Sequence, residues 1–188
     1  MKITKIGHCC LLIEVNGKRI LTDPGSFTSD QHVLEDIDIV LITHEHGDHL
    51  HVESLKEIIK KNPKVEVVSN GSVGVLLEDA GIDYKKIEGE DSELVSDVYF
   101  EAYDAKHVEI FEEYGQVQNT GYFITSRLFY PGDAYGIPEK PVEILALPVA
   151  GPWCRVADVV RYAKEVSPQK AFPVHDGLLN EAGIEIQY

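Results

Sequence analysis

The stretch Ile37-Asp38-Ile39-Val40-Leu41-Ile42-Thr43-His44-Glu45-His46-Gly47-Asp48-His49 joins an apolar run to a cluster of histidines and acids. The apolar run is β-branched and nearly continuous, which is typical of a strand buried on both faces. In an extended segment His44 and His46 project to the same side, so both imidazoles can reach one metal ion. Asp48 and His49 can then address a second point. The stretch therefore predicts a metal site at the end of a buried strand.

The alternative interpretation is a solvated, histidine-rich loop, because short histidine tracts also arise from compositional bias. In the metal-site interpretation, Gly47 lets the chain turn between the two halves of the motif. The positions of the other histidines and acids along the chain decide between the two interpretations.

The 188-residue chain is 44% hydrophobic and 26% charged, which predicts one domain over residues 1–188 with a sizeable core. No apolar run approaches the length of a membrane span, and the first residues enter strand-like alternation instead of a signal peptide. Three cysteines, two of them adjacent, are a poor disulfide framework and fit a reducing compartment best. These features predict a cytoplasmic protein.

The formal net charge of -15 argues against a protein that binds the phosphate backbone of nucleic acids. The charge does not exclude a small anionic substrate, because bound metal ions set the local field of a pocket. We therefore expect a small-molecule substrate and no nucleic-acid partner.

Strand-like and helix-like segments alternate along the chain, and Asn16-Gly17 between two apolar runs is a strong hairpin signal. The pattern predicts strands over residues 2–6, 11–15, 18–22, 37–43, 65–69, 121–125, 128–130, 143–147 and 170–174, β-like structure over 87–104, and helices over 52–61, 72–80 and 156–166. The apolar faces of the last two helices are expected at Val73, Leu76 and Leu77, and at Val156, Val159, Val160, Ala163 and Val166. Such an alternation requires a layered α/β architecture.

Three further polar residues follow predicted strands: His107, Asp133 and His175. Each alone would be an ordinary loop residue, but polar residues beyond strand ends mark where sites are built in α/β folds. Together with the histidine motif they supply what two metals need: three imidazoles, then two imidazoles with a carboxylate, and one shared carboxylate.

This set of residues, in this order, resembles the binuclear hydrolases of the metallo-β-lactamase superfamily. The resemblance implies a four-layer αββα sandwich of two mixed β-sheets flanked by helices, with the metals at one edge between the sheets. It implies that one ion is held by His44, His46 and His107. The other ion would be held by Asp48, His49 and His175, and Asp133 would bridge the two.

Within the superfamily, Gly7-His8 and Asp23-Pro24 resemble the branch of ascorbate-6-phosphate lactonase and of the phospholipase D that cleaves N-acyl phosphatidylethanolamine. Two departures separate the chain from other branches. The commonest β-lactamases carry a cysteine at the position of Asp133, and flavodiiron proteins carry a glutamate at that of His46. Self-association is common among these relatives, although the sequence itself does not determine the oligomeric state.

The ligand set predicts chemistry in which two divalent ions share a water, lower its pKa and stabilise the developing oxyanion. Imidazole and carboxylate ligands suit Zn²⁺ and are also accepted by Mn²⁺ or iron. Asp48 is the candidate catalytic residue, because a metal-bound carboxylate keeps one oxygen free to orient the nucleophile and to move its proton. Cys154 is not expected to be a ligand, because the seven positions already complete two sets.

Five other residues have both a functional and a structural interpretation: His8, Asp23, Tyr135, Trp153 and Arg155. His8 is either a pocket residue or a satisfied core histidine. Asp23 either accepts a hydrogen bond from a ligand imidazole or initiates a turn before proline. Trp153 and Arg155 are a substrate wall and an anion clamp, or a packing residue and a first-turn helix residue. Tyr135 either reaches the substrate or only covers the site.

The favoured function is a metal-dependent hydrolase of a small ester, lactone or phosphodiester that uses a hydroxide bridging two metals. Two alternatives share the scaffold: an iron-dependent redox or dioxygenase-type enzyme, and a non-catalytic metal-binding protein. The non-catalytic alternative predicts loss of one or more ligands, and none of the seven is lost.

Overall fold

Two six-stranded mixed sheets form the centre of the molecule in the computed structural model, which describes residues 1–187. The first sheet contains, in spatial order, β1 (Lys2–Gly7), β2 (Cys10–Val15), β3 (Lys18–Thr22), β4 (Ile39–Leu41), β5 (Glu66–Ser69) and β6 (Lys85–Lys86). The second contains, also in spatial order, β7 (Ser92–Val95), β8 (Val98–Lys106), β9 (Gln118–Ile124), β10 (Leu128–Tyr130), β11 (Ile144–Pro148) and β12 (Lys170–Val174).

Each sheet begins with antiparallel pairs and ends with parallel ones. In the first, β1 to β3 are antiparallel and β3 to β6 are parallel. In the second, β7 to β10 are antiparallel and β10 to β12 are parallel. The helices are α1 (Val52–Lys61), α2 (Gly71–Asp79), α3 (Val156–Val166) and α4 (Glu181–Gln187), with a 3₁₀ turn at Asp30–Val33.

Three apolar clusters separate four layers. The largest lies between the sheets and includes Leu11 and Ile13 of β2 and Phe100 of β8, all fully buried. The second packs the first sheet against α1 and α2, and the third packs the second sheet against α3. Burying one such side chain stabilises the fold by about 1.5–3 kcal/mol. The predicted αββα sandwich of two mixed sheets is confirmed.

The hairpin between β2 and β3 turns at Asn16 and Gly17, with φ of 53° and 75°. Positive φ at both central residues is the condition for the type I′ turn that suits a twisted hairpin. The predicted turn is therefore found at the predicted place.

Several local predictions differ from the structure. Leu76 is 39% exposed, since α2 buries Val73 and Leu77, one helical turn apart. Similarly, α3 leaves Val156 and Val160 about half exposed and buries Tyr162 instead, which packs in the cluster above the second sheet.

Strand ends place the polar residues at one edge of the sandwich. His8, Asp23, His107 and His175 directly follow β1, β3, β8 and β12, and Asp133 comes three residues after β10. The histidine motif begins three residues after β4. Across residues 1–187, no helix is both long and apolar enough to cross a membrane.

Candidate metal centre

Asp133 lies at the centre of four imidazoles. Its Oδ2 atom is 2.8 Å from Nε2 of His175, 3.3 Å from Nε2 of His107 and 3.9 Å from Nε2 of His44. Its Oδ1 atom is 3.3 Å from Nε2 of His49. The side chain is almost fully buried. Residues from three separate parts of the chain therefore direct nitrogen atoms at one carboxylate.

The two remaining predicted ligands lie on either side of this centre. One ligand atom each from His44, His46 and His107 lie within 4.8 Å of one another, which forms a cluster of three histidines. On the other side, Oδ2 of Asp48 is 3.3 Å from Nε2 of His175. The structure thus brings all seven predicted residues together around Asp133.

The inward nitrogens have no hydrogen-bond partner among the described residues. This holds for Nε2 of His44, His49, His107 and His175, and for Oδ1 of Asp133, although all are buried. Buried polar atoms without a partner are rare in folded proteins, and an ion is one of the accepted reasons for them. Imidazole nitrogens and a carboxylate are a suitable donor set for zinc, iron or manganese, so these residues fit a metal centre.

In three of these rings the second nitrogen, Nδ1, has a hydrogen-bond partner that fixes the tautomer of the imidazole. Nδ1 of His49 donates to Oδ2 of Asp23 over 2.7 Å, and Nδ1 of His107 donates to the carbonyl of Val108 over 2.6 Å. Nδ1 of His44 lies 3.0 Å from Oγ1 of Thr43. With hydrogen on Nδ1, the lone pair of each Nε2 is free for a metal.

Asp23 itself is fully buried and receives four hydrogen bonds. Besides His49, the donors are the backbone N–H and the hydroxyl of Thr43, each at 2.8 Å, and the hydroxyl of Tyr130 at 2.6 Å. Because the Thr43 hydroxyl donates to Asp23, its lone pairs are free to accept from His44. One carboxylate therefore orients two of the candidate ligands.

His8 contacts Asp48 in a defined tautomer. Its Nδ1 accepts from the N–H of Gly177 over 3.1 Å, so its Nε2 carries the hydrogen and donates to Oδ2 of Asp48 over 3.2 Å. Burial lowers the pKa of His8, which favours this neutral form. His8 lies beside the centre and orients Asp48.

Burial and neighbouring charges shift the pKa values of the residues around Asp133. Burial opposes ionisation of both His49 and His175, yet the neighbouring Asp133 raises the pKa of His49 well above its usual value and that of His175 to about 11. Despite its own burial, Asp133 has its pKa held well below the usual range by His49 and His175. For His44, burial and the neighbouring His49 outweigh the effect of Asp133 and lower its pKa well below the usual value.

Backbone contact between two loops fixes the histidine motif. A Cβ atom at Gly25 would lie 1.8 Å from the carbonyl oxygen of Asp48, and the N–H of Ser26 donates to the carbonyl of Gly47 over 2.9 Å. By contrast, a Cβ atom at Gly47 would have no neighbour within 4 Å, and the φ of Gly47 is not positive. The close approach therefore depends on Gly25. The chain turns at Gly47 as expected, with the N–H groups of His49 and Leu50 donating to the carbonyl of His46, although this turn does not require a positive φ.

A cavity of about 590 Å³ opens above the centre. Of the predicted substrate residues Trp153, Tyr135 and Arg155, only Trp153 lines this cavity. Its ring is 5.7 Å from that of His107 and 5.3 Å from that of His175. Tyr135 packs edge-on against Trp153 and donates to Sγ of Cys154 over 3.4 Å. Arg155 points away, in an exposed ion pair with Asp158, so it is not placed to act as an anion clamp.

Two groups of residues near the centre were missed by the sequence interpretation. Cys9 is buried, and its Sγ lies within 4.8 Å of a ring nitrogen of His8, His49 and His175. Its position directly after His8 was the available signal. The cavity also has apolar walls from Phe27, Ile110, Tyr114 and Leu178. These residues lie in irregular loops, where no periodicity identifies them.

The sequence comparisons agree with this geometry. Residues 2–175 match the family model of the beta-lactamase superfamily domain. Protein Rv0786c of Mycobacterium tuberculosis is 30% identical over 184 residues, which cover 95% of this chain and 85% of that protein. A protein of Flavobacterium johnsoniae named UPF0173 metal-dependent hydrolase is 44% identical over 79 residues, which cover 39% of this chain and 33% of that protein.

A solved structure gives the same result for the fold. It is the crystal structure of a protein from Parabacteroides distasonis that is provisionally named a metal-dependent hydrolase. The two structures align with a TM-score of 0.80 at 25% sequence identity, and the alignment covers 98% of this chain and 86% of the Parabacteroides chain. The family match spans both sheets and the positions of the predicted ligands, from β1 to His175. The chain therefore belongs to the metallo-β-lactamase superfamily.

Proposed function

We propose that the protein is a metal-dependent hydrolase that cleaves a small ester, lactone or phosphodiester at a centre of two divalent ions. The observation that carries the proposal is the ring of buried, unpartnered Nε2 atoms around Asp133. The names of the Flavobacterium and Parabacteroides relatives support the hydrolase class.

The proposal divides the seven residues into two ligand groups. His44, His46 and His107 would hold one ion; Asp48, His49 and His175 would hold the other; and Asp133 would contact both. When bound, such a pair supplies a nucleophile from water at neutral pH and polarises the scissile group. Zn²⁺ is the proposed metal, and Mn²⁺ and iron accept the same donors.

The protein's own groups position this chemistry. Asp48 is half-buried at the cavity wall and has one oxygen, Oδ2, close to His8 and His175. Its other oxygen is left to accept the proton of the attacking water. Burial alone would raise the pKa of Asp48, but the neighbouring imidazoles of His175 and His8 hold it well below its usual range. Asp48 therefore stays a carboxylate and can serve as the base.

The remaining expectations stand as parts of the proposal. They are a cytoplasmic location, a small-molecule substrate, no nucleic-acid partner, and the narrower resemblance to ascorbate-6-phosphate lactonase and the N-acyl phosphatidylethanolamine phospholipase D. The net charge of -15 supports the absence of a nucleic-acid partner.

A hydrolysis panel on metal-reconstituted protein tests the function. Metal content is measured first, and turnover is then compared on p-nitrophenyl esters, lactones, bis(p-nitrophenyl) phosphate and a chromogenic β-lactam. We expect turnover in at least one of the first three classes and its loss in Asp48→Asn, with the exposed Asp79→Asn as the matched control. Absence of turnover in every class with two metals bound would refute the hydrolase, and oxygen uptake by an iron-loaded protein would favour the redox alternative.

A further inference from the structure

We infer that the substrate is an uncharged carboxylic ester or lactone with an apolar acyl or ring portion, and not a phosphorylated compound. This inference rests on the proposed hydrolase function and narrows it. The observation behind it is the composition of the apolar cavity wall, which is formed by residues other than the proposed metal ligands.

Apolar side chains from four separate loops converge on the cavity above the metal centre. The wall is formed by Phe27, Ile110, Tyr114, Pro152, Trp153 and Leu178. Ligand pockets owe most of their affinity to such apolar walls, and a volume of about 590 Å³ is in the range of small-molecule sites. The centre would therefore hold the scissile group while these residues contact the rest of the substrate.

Several of these side chains are held in solvent at the mouth of the cavity. Phe27 is 49% exposed, Leu178 is 52% exposed and Tyr114 is 73% exposed. The neighbouring Phe111 is also exposed. Large apolar groups clustered in solvent around one opening mark a binding surface, because scattered exposure alone would not place them together.

No lysine or arginine is among the residues that line this cavity in the described part of the chain. Arg155 is paired with Asp158, Lys5 with Asp176, and Lys106 lines a different surface depression beside β8. Terminal phosphates and carboxylates are usually bound by arginine or lysine. A substrate with such a group would have to leave it against apolar walls in a protein of net charge -15.

The test compares matched p-nitrophenyl esters on the metal-loaded protein. The acyl group is lengthened from acetate to butyrate and hexanoate, and hexanoate is compared with the mono-ester of adipate, which has the same chain length and a terminal carboxylate. Each buried methylene is expected to raise kcat/KM by up to about fourfold. The terminal carboxylate should lower kcat/KM at least tenfold, and p-nitrophenyl phosphate should be the poorest substrate.

A variant locates the effect in the wall. Leu178→Ala should lower the hexanoate-to-acetate ratio of kcat/KM at least threefold at wild-type metal content. Leu94→Ala is the matched control, because Leu94 is 60% exposed on β7 and does not line the cavity. If this ratio is unaffected in Leu178→Ala, the wall does not select the acyl group.

The outcomes separate the two claims. Ester turnover without chain-length dependence, or with a preference for the adipate or phosphate compound, would overturn the inference and leave the hydrolase in place. Failure to cleave any ester, lactone or phosphodiester with the metals bound would overturn both.

Discussion

Nδ1 of His49 donates to Oδ2 of Asp23 over 2.7 Å, with both side chains fully buried. Hydrogen bonds of this kind fix the orientation and the basicity of a metal-binding imidazole. Asp23→Asn keeps the shape and removes the charge, so it should lower metal affinity about 10–100-fold. Competition with a chromophoric chelator measures the affinity.

Asp38→Asn is the matched control for this substitution. Asp38 also accepts a backbone hydrogen bond, from Arg19, but lies outside the metal centre. Equal affinities in the wild type and Asp23→Asn would show that the contact with His49 is structural only.

Asp133→Ala should lose metal while the fold survives. The carboxylate is the shared neighbour of His44, His49, His107 and His175, so its removal would take a proposed ligand from both groups at once. We expect the metal content to fall by at least one ion per chain and turnover to fall more than about 100-fold. Elemental analysis measures the metal content, and circular dichroism shows whether the fold survives. Full turnover at wild-type metal content would remove Asp133 from the site.

Metal affinity should rise with pH. In the metal-free protein, Asp133 overcomes the effect of burial and raises the pKa of His175 to about 11, so its ring is protonated at pH 7. A ligand must be neutral, and binding therefore displaces this proton. Affinity should increase about tenfold per pH unit for each proton displaced, and weaken as the pH falls. Calorimetry in buffers of different ionisation enthalpy counts the protons. Affinity that does not change between pH 6 and pH 8 would contradict the charged state of His175.

Gly25→Ala should damage both stability and metal binding. The new Cβ would lie 1.8 Å from the carbonyl oxygen and 2.0 Å from the carbonyl carbon of Asp48, and backbone atoms cannot rotate away. Overpacking of this kind costs about 1–3 kcal/mol. Gly47→Ala, inside the histidine motif, has open space and should change the free energy of unfolding by less than about 0.5 kcal/mol. Urea denaturation compares them, and the reverse order would disprove this account of the loop contact.

Elements with strong local signals were predicted closely from the sequence. The bounds of α1 and α3 agree with the structure, because an amphipathic period defines each helix locally, and the bounds of β12 agree as well. The two-residue strand β6 and the helix α4 were missed, since Lys85–Lys86 is polar and Glu181–Gln187 contains a glycine. The formation of β6 depends on its pairing with β5.

The candidate site also contains residues that the sequence predicts and residues that it does not. Imidazoles and carboxylates after strand ends are visible in sequence because their chemistry is unusual for a loop. The cavity wall is not, since Phe27, Ile110 and Leu178 become neighbours only when separate loops meet. Arg155 shows the converse: its sequence position near Trp153 suggested an anion clamp, but the first turn of α3 directs it to Asp158.

The chain contains one tryptophan, and Trp153 lies edge-on to the rings of His107 and His175, one from each proposed ligand group. Its indole emission therefore comes entirely from the boundary of the metal centre. A change in the protonation or position of either imidazole alters the quenching of that emission. The protein thus carries a built-in fluorophore with which loading of the centre can be followed in real time, without a label and without a substrate.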